Sequence, residues 1–219
     1  MTDVHAVLTG DLIGSTGAGR DRIERSIQTL KDGAAFFEGG KHNGSTRFTQ
    51  NRSDGWQIYL EKPGDFLWVA VYLNAVLKAD PQCLPTRIAI GLGTLDSLGE
   101  VGLASATGTA FTYSGQALDR MVVVGQNLVL AGKETDEIMH SNIAFVDDRV
   151  AGWSKEQAEA IALSIRSGFG PHSDIAQTLG ISRQAVGARL KSSGFSLVYD
   201  AIDAFRQHDW AGNKPCLKP

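Results

Sequence analysis

Residues 173–191 read SDIAQTLGISRQAVGARLK, from Ser173 to Lys191, and this stretch decides how the C-terminal third of the chain folds. Ile175, Ala176 and Leu179 recur at intervals of three and four, the spacing of one buried helix face. Gly180 then ends that helix, because glycine enters the left-handed conformation of a tight turn without steric cost. Ser182 stands where it can cap a second helix, on which Ala185, Val186, Arg189 and Leu190 repeat the helical period. Two short helices joined through a glycine turn make a helix-turn-helix, with Ile175, Leu179, Val186 and Leu190 assigned to its core.

Upstream of this unit, Ser154-Lys-Glu-Gln157 is a capping box that opens another helix. A break is expected at Asp147-Asp148-Arg149, and everything beyond it reads as helical. The chain therefore divides into an N-terminal domain, residues 1–148, and an all-α domain, residues 149–219, whose last residues, 212–219, read as a frayed tail.

The N-terminal half mixes two periods. Residues 5–9 alternate and then meet Gly10-Asp11, a strand ending in a loop. From Arg20 to Phe37, the residues Ile23, Ile27, Leu30, Ala34 and Phe37 share a helical stripe. Residues 46–49 and 56–60 are short β-rich runs around the turn-forming segment 51–55, a hairpin. Residues 65–79 are apolar nearly all round, so a buried helix is expected, closed by Asp80-Pro81. TRIAIGLG, residues 86–93, reads as a strand; residues 108–124 read as a helix, and residues 138–146 as a last strand or helix–strand junction. Strand, helix, strand, strand, helix, strand, helix, strand is an α+β pattern, a ferredoxin-like sandwich with helices gathered on one face of a mainly antiparallel sheet.

Charge is unevenly divided. Residues 151–219 carry eight cations and six acids, a net +2, against −5 for residues 1–150. The chain is not a nonspecific polycation, and any nucleic-acid contact must be focused on a small patch. Residues 182–193, with Arg183, Arg189, Lys191 and no acid, form one. Cys83 and Cys216 have no metal-type spacing, and His5, His42, His140, His172 and His208 are scattered, so neither a zinc site nor a disulfide framework is expected. The opening MTDVHAV lacks the pattern of a signal peptide, and the longest apolar run, residues 66–77, is too short to span a bilayer; a soluble cytoplasmic protein with no membrane partner is expected. Trp56, Trp68, Trp153 and Trp210 read as core or interface anchors.

Two aspartates carry possible chemistry. Asp11 lies in GDLIGST at the end of the first strand, and Asp54 in RSDGW at the hairpin turn. In a ferredoxin-like sheet the first strand lies beside that hairpin, so the two carboxylates would converge. Such a pair can hold Mg²⁺ or Mn²⁺ against the phosphates of a nucleotide. Gly14, Ser15 and Thr16 open a helix whose backbone N–H groups would favour an anion.

The two ends of the chain resemble known families. The 173–191 segment resembles bacterial helix-turn-helix modules. That resemblance implies double-stranded DNA as partner, with Arg183 and Gln184 reading bases, Arg189 and Lys191 touching phosphates, and Ser173, Ser182 and Gly187 on the same side. GDLIGST and RSDGWQIYL resemble the two metal-binding motifs of class III nucleotidyl cyclases, and RIAIGLGTLD resembles the strand that follows. The whole chain is similar to the SatD-like family, which joins a cyclase-like domain to a C-terminal helix-turn-helix; the G-x-A-F segment at residues 108–111 matches as well. The resemblance implies metal positions at Asp11 and Asp54 and nucleotide contacts along Leu12, Ile13, Gly14, Ser15 and Thr16, with the Leu12 carbonyl as an extra ligand. Ser53 stands where cyclases usually have glycine. The Asn–Arg pair of cyclases is matched by Thr112 and Gln116 in one register, and by Gln116 and Arg120 in the next, so neither register restores it.

Two functions are thus expected. One is a homodimeric DNA-binding transcriptional regulator whose N-terminal domain senses a nucleotide or dimerises. The other is a Mg²⁺- or Mn²⁺-dependent nucleotidyl cyclase, or other nucleotide-processing enzyme, with Gln116 and Arg120 as its catalytic residues.

Overall fold

A computed structural model describes residues 3–38, 45–100 and 102–210, the side chains of residues 122–124 aside. Strands β1 (His5–Leu12), β2 (Thr46–Asn51), β3 (Gly55–Leu60), β4 (Thr86–Gly93) and β5 (Leu128–Ala131) form one sheet in the order β2-β3-β1-β4-β5. The first four pair antiparallel throughout, and β5 joins β4 in parallel. Helices α1 (Ser15–Ala18) and α2 (Arg20–Ala35) follow β1, α3 (Phe66–Ala79) follows β3, and α4 (Thr109–Val124) links β4 to β5. Then come α5 (Glu137–Ala151), α6 (Lys155–Arg166), α7 (His172–Leu179), α8 (Arg183–Ser192) and α9 (Phe195–Gln207). The architecture is mixed α and β, as the sequence pattern predicts. No helix of the described residues is long and apolar enough to cross a membrane.

Alternation along β1 sends Ala6, Leu8 and Leu12 to one face, where they meet Ile27, Leu30 and Ala34 of α2 and the length of α3. The other face carries Val7, with Tyr59 of β3 and Ala110 of α4 packed against it. Helix α4 thus lies opposite α2 and α3, and the expectation of helices on a single face is corrected. The reason is written in β4: a Cβ on Gly91 would sit 2.1 Å from the Ala110 carbonyl oxygen, and one on Gly93 2.3 Å from Thr109 Oγ1. The bare strand lets α4 rest directly on it, and Thr9 Oγ1 meets Ser114 Oγ at 2.8 Å beneath the helix.

Helix α3 is buried at ten positions, from Phe66 to Leu77. An all-round apolar helix needs cover on both sides. The sheet supplies one side, and Ile161, Ala162 and Ile165 of α6 with Val198, Ile202 and Phe205 of α9 complete a continuous core on the other. Burying apolar surface is the dominant stabilising term, so this shared core binds the C-terminal helices to the N-terminal half.

Two further expectations are corrected here. Residues 138–146 are neither strand nor junction but the body of α5, capped by Asp136, whose side chain accepts the Met139 N–H. Ile143, Val146 and Val150 point inward at helical spacing, while Ile138 and Phe145 are 80% and 77% exposed. The last strand is instead the four-residue β5. The break expected at Asp147-Asp148-Arg149 falls within the last turns of α5, which runs on to Ala151. The tail 212–219, like His42 and Cys216, lies outside the described residues.

Candidate functional site

The C-terminal helices form around a second small core. Ile175, Ala176 and Val186 are buried together, with Leu163, Leu179, Ile181 and Leu190 packed against them. Gly180 ends α7 in the left-handed region at φ 65°, and Ser182 caps α8 by accepting the Ala185 N–H at 3.1 Å. The Ser154–Gln157 capping box is formed at both of its hydrogen bonds. With one face of α8 buried on α7, its other face presents Arg183, Gln184, Ala188 and Lys191 to solvent, and Gly187 lies between them. A Cβ on Gly187 would meet nothing nearer than His172 at 3.7 Å. The helix surface is therefore low in relief at its middle and cationic at both ends. Ser173 is exposed on α7, where its hydroxyl donates to Asp174 Oδ1 at 3.0 Å.

Arg189 is placed differently from the sequence expectation. Its guanidinium is 3.5 Å from Glu159 Oε2 and donates to the Glu156 carbonyl at 3.4 Å, which turns it toward α6.

At the other end of the chain, Asp11, Leu12, Ile13, Gly14, Ser15, Thr16 and Asp54 do converge, around a pocket of about 460 Å³. The register explains it. Asp11 pairs with Gly55 across β1 and β3, which puts the hairpin tip and Asp54 next to it, and the Leu12 N–H donates to the Asp54 carbonyl at 3.1 Å. Asp11 also faces Arg87 across β1 and β4. Arg87 grips it with both arms: Nε donates to Oδ1 at 2.8 Å, and a terminal nitrogen donates to Oδ2. The hydrogen bond to Asp11, reinforced by its charge and that of Asp54, holds the guanidinium's pKa above its ordinary value. The cross-strand register supplies this partner for Arg87. Asp54 Oδ2 accepts from Ser15 Oγ at 2.5 Å.

This arrangement does not fit a divalent metal. Mg²⁺ keeps several waters and is held through one or two carboxylates whose oxygens face it in near-octahedral array. Here both oxygens of Asp11 are taken by a guanidinium, and one of Asp54 by a hydroxyl. Among the described residues, no group of three or more His, Cys, Asp or Glu side chains is placed to hold a metal ion. The anion cradle expected at Gly14, Ser15 and Thr16 opens α1, a single turn of four residues, too short for a sizeable dipole. Just before it, Leu12 and Ile13 spend their N–H groups on the Asp54 and Pro85 carbonyls. The wall opposite is the C-terminal turn of α4, with Met121 and Gly125, whose carbonyl end favours cations.

Gln116 and Arg120 are not in this pocket. They line a neighbouring one of about 540 Å³ between α4, β5 and the start of α5, with Tyr113, Lys133 and His140; Met121 contributes to both walls. Arg120, Lys133 and His140 share its lining with the apolar Ala117, Val129 and Leu130. His140 Nε2 meets Thr135 Oγ1 at 3.0 Å, and that hydroxyl donates to the Gly132 carbonyl at 2.8 Å. Lys133 and His140 were missed in the sequence, because only the β5–α5 connection brings them to α4. Comparison with protein-family models, with curated proteins and with solved structures finds no match in any of the three.

Proposed function

We propose that the chain is a DNA-binding transcriptional regulator of the cytoplasm, acting as a homodimer. Residues 149–219 would be the helix-turn-helix unit that reads double-stranded DNA, and residues 1–148 a ferredoxin-like, nucleotidyl cyclase-like unit of the SatD-like kind. The reading is carried by the exposed face of α8. Arg183 and Gln184 stand free of the core at its N-terminal end, Gly187 and Ala188 keep its middle low, and Lys191 adds charge one turn on. Side chains at the start of a recognition helix reach base edges, while cations further along meet phosphates. The strand order β2-β3-β1-β4, antiparallel throughout, supports the ferredoxin-like reading.

For the N-terminal part, sensing is favoured over catalysis. A nucleotide is anionic, and the pocket with Arg120, Lys133 and His140 suits an anion with an apolar body; its volume is within the range of small-molecule sites. Helix α5 joins the two halves: His140 lines that pocket, while Val146 and Val150 sit in the core shared with α9. The cyclase alternative draws on the convergence of Asp11 and Asp54. Against it stand the Arg87 pairing and the separation of Gln116 and Arg120 into another pocket.

The test is selection of duplexes from a random-sequence pool by the purified full chain, followed by anisotropy titrations at rising salt. Enrichment of a two-half-site sequence, with affinity falling linearly in log salt, is the expected result. Lack of salt-dependent binding even at low ionic strength would remove the DNA reading. Incubation with each nucleoside triphosphate and Mn²⁺, beside an Arg120→Ala control, separates sensor from enzyme.

A further inference from the structure

The Asp11 carboxylate is enclosed on one side only. Across β3 its partner is Gly55, which has no side chain, and across β4 its partner is Arg87. The pair is about three-quarters buried, with side-chain exposures of 23% for Arg87 and 27% for Asp11. Asp54 and the carbonyl end of α4 add negative charge to the same pocket, and among the described residues Arg87 is its one cationic lining residue.

We propose that Arg87 is the resident cation of this pocket, standing where the aspartate pair would otherwise take a divalent metal, so that the site takes up none. Three physical arguments converge. The guanidinium fork matches the two carboxylate oxygens bidentately, and its charge is permanent at any physiological pH. It is tethered to the neighbouring strand, so it competes from within the molecule against a dilute ion that must also shed tightly held water. Two carboxylates and a helix C-terminus with one guanidinium leave no positive excess for a polyphosphate, so the pocket also lacks the charge that a metal–triphosphate complex needs. The inference stands apart from the DNA reading and survives its failure.

The experiment is an electron paramagnetic resonance titration of the full-length protein with Mn²⁺ alone, which reads free ion directly. The wild type is expected to leave the free Mn²⁺ signal undiminished. Arg87→Met, similar in bulk but uncharged, is expected to bind Mn²⁺ saturably and at least about tenfold more tightly, since a like charge at contact distance is removed. A second change, Asp11→Asn, should abolish the new site, and Arg87→Lys should behave as the wild type. Saturable binding to the wild type that Asp11→Asn removes would overturn the proposal. So would a folded Arg87→Met that takes up no more Mn²⁺ than the wild type. If Arg87→Met does not fold, Arg87→Lys and the wild type still decide: metal uptake that Asp11→Asn removes in either one overturns it, and exclusion from both upholds it.

Discussion

The guanidinium carbon of Arg206 lies 4.2 Å from the centroid of the Trp68 ring, while its Nε donates to Asp65 Oδ1 at 2.8 Å. One side chain of α9 thus clamps both the 3-10 turn before α3 and the first turn of α3 itself. Phe205, the residue before it, packs at a tilt against Phe66, with ring centroids 5.0 Å apart. A cation–π contact coupled to a charge-assisted hydrogen bond exceeds an ordinary surface pair. Arg206→Ala should therefore lower unfolding stability by about 1–2 kcal/mol, read as a shift in the urea midpoint at constant slope. A chain cut after Gly152 should not fold, because it bares the outer side of α3; aggregation or a missing cooperative transition would be the sign.

Glycines in the sheet and on α1 are predicted to respond unequally to substitution. A Cβ on Gly10 would fall 2.4 Å from the Trp56 ring and 2.5 Å from the Arg87 carbonyl oxygen. Trp56 cannot yield, being fully buried with its indole N–H held by Thr86 Oγ1 at 3.0 Å. Gly10→Ala and Gly91→Ala should each cost at least about 2 kcal/mol through overpacking. Gly17→Ala, on α1 with nothing within 4 Å of the added carbon, should be neutral or slightly stabilising. Thermal melts of the three variants check the order; equal losses at all three would mean that α4 and Trp56 do not press on the sheet as described.

How legible this was depended on how local each signal is. The two short helices α7 and α8 and the turn between them are readable because Gly180 and Ser182 act on their own backbone within a turn of where they stand. The convergence of Asp11 and Asp54 followed from strand neighbourhood. What escaped needed register or crossover. Arg87 meets Asp11 only because β1 and β4 pair at one offset out of several. The segment 138–146 carries enough apolar residues to imitate a strand, and its helical phase emerges only with Ile143, Val146 and Val150 turned inward. Strand β5, with four residues, is too short to show alternation.

Asp147 predicts a pH signature. It sits on α5 with its carboxylate turned to the start of β5, where Oδ2 accepts the Asn127 N–H at 3.0 Å. Burial raises its pKa, and hydrogen bonds from the Asn127 and Leu128 backbone only partly oppose this. The folded state therefore favours the protonated acid. The stability this contributes is complete below the ordinary carboxylate pKa and is lost as pH rises through the raised value. Asp147→Asn keeps a carbonyl for the Asn127 N–H and removes the ionisation. The difference in Tm, variant minus wild type, should grow more positive between about pH 4 and pH 8. A difference that stays flat over that range would show that Asp147 ionises in the fold as it does in the unfolded chain.

Helix α8 makes the most divisive prediction, because its residues should separate into four behaviours. Arg183→Ala and Gln184→Ala should each weaken binding to the selected sequence by about 1–3 kcal/mol, relax preference at one base pair and leave the melting temperature unchanged. Lys191→Ala should weaken binding to all sequences alike and reduce the salt slope by about one. Arg189→Ala should leave the salt slope intact and cost up to about 1 kcal/mol of stability, since its guanidinium is spent on Glu159 and Glu156. Gly187→Ala is the sharpest case. It should stabilise the helix by about 0.5–1 kcal/mol, as alanine does over glycine inside a helix, yet weaken DNA binding by adding a methyl where the groove must approach. A Gly187→Ala protein that is more stable and binds DNA as well as the wild type would show that DNA does not approach along this face.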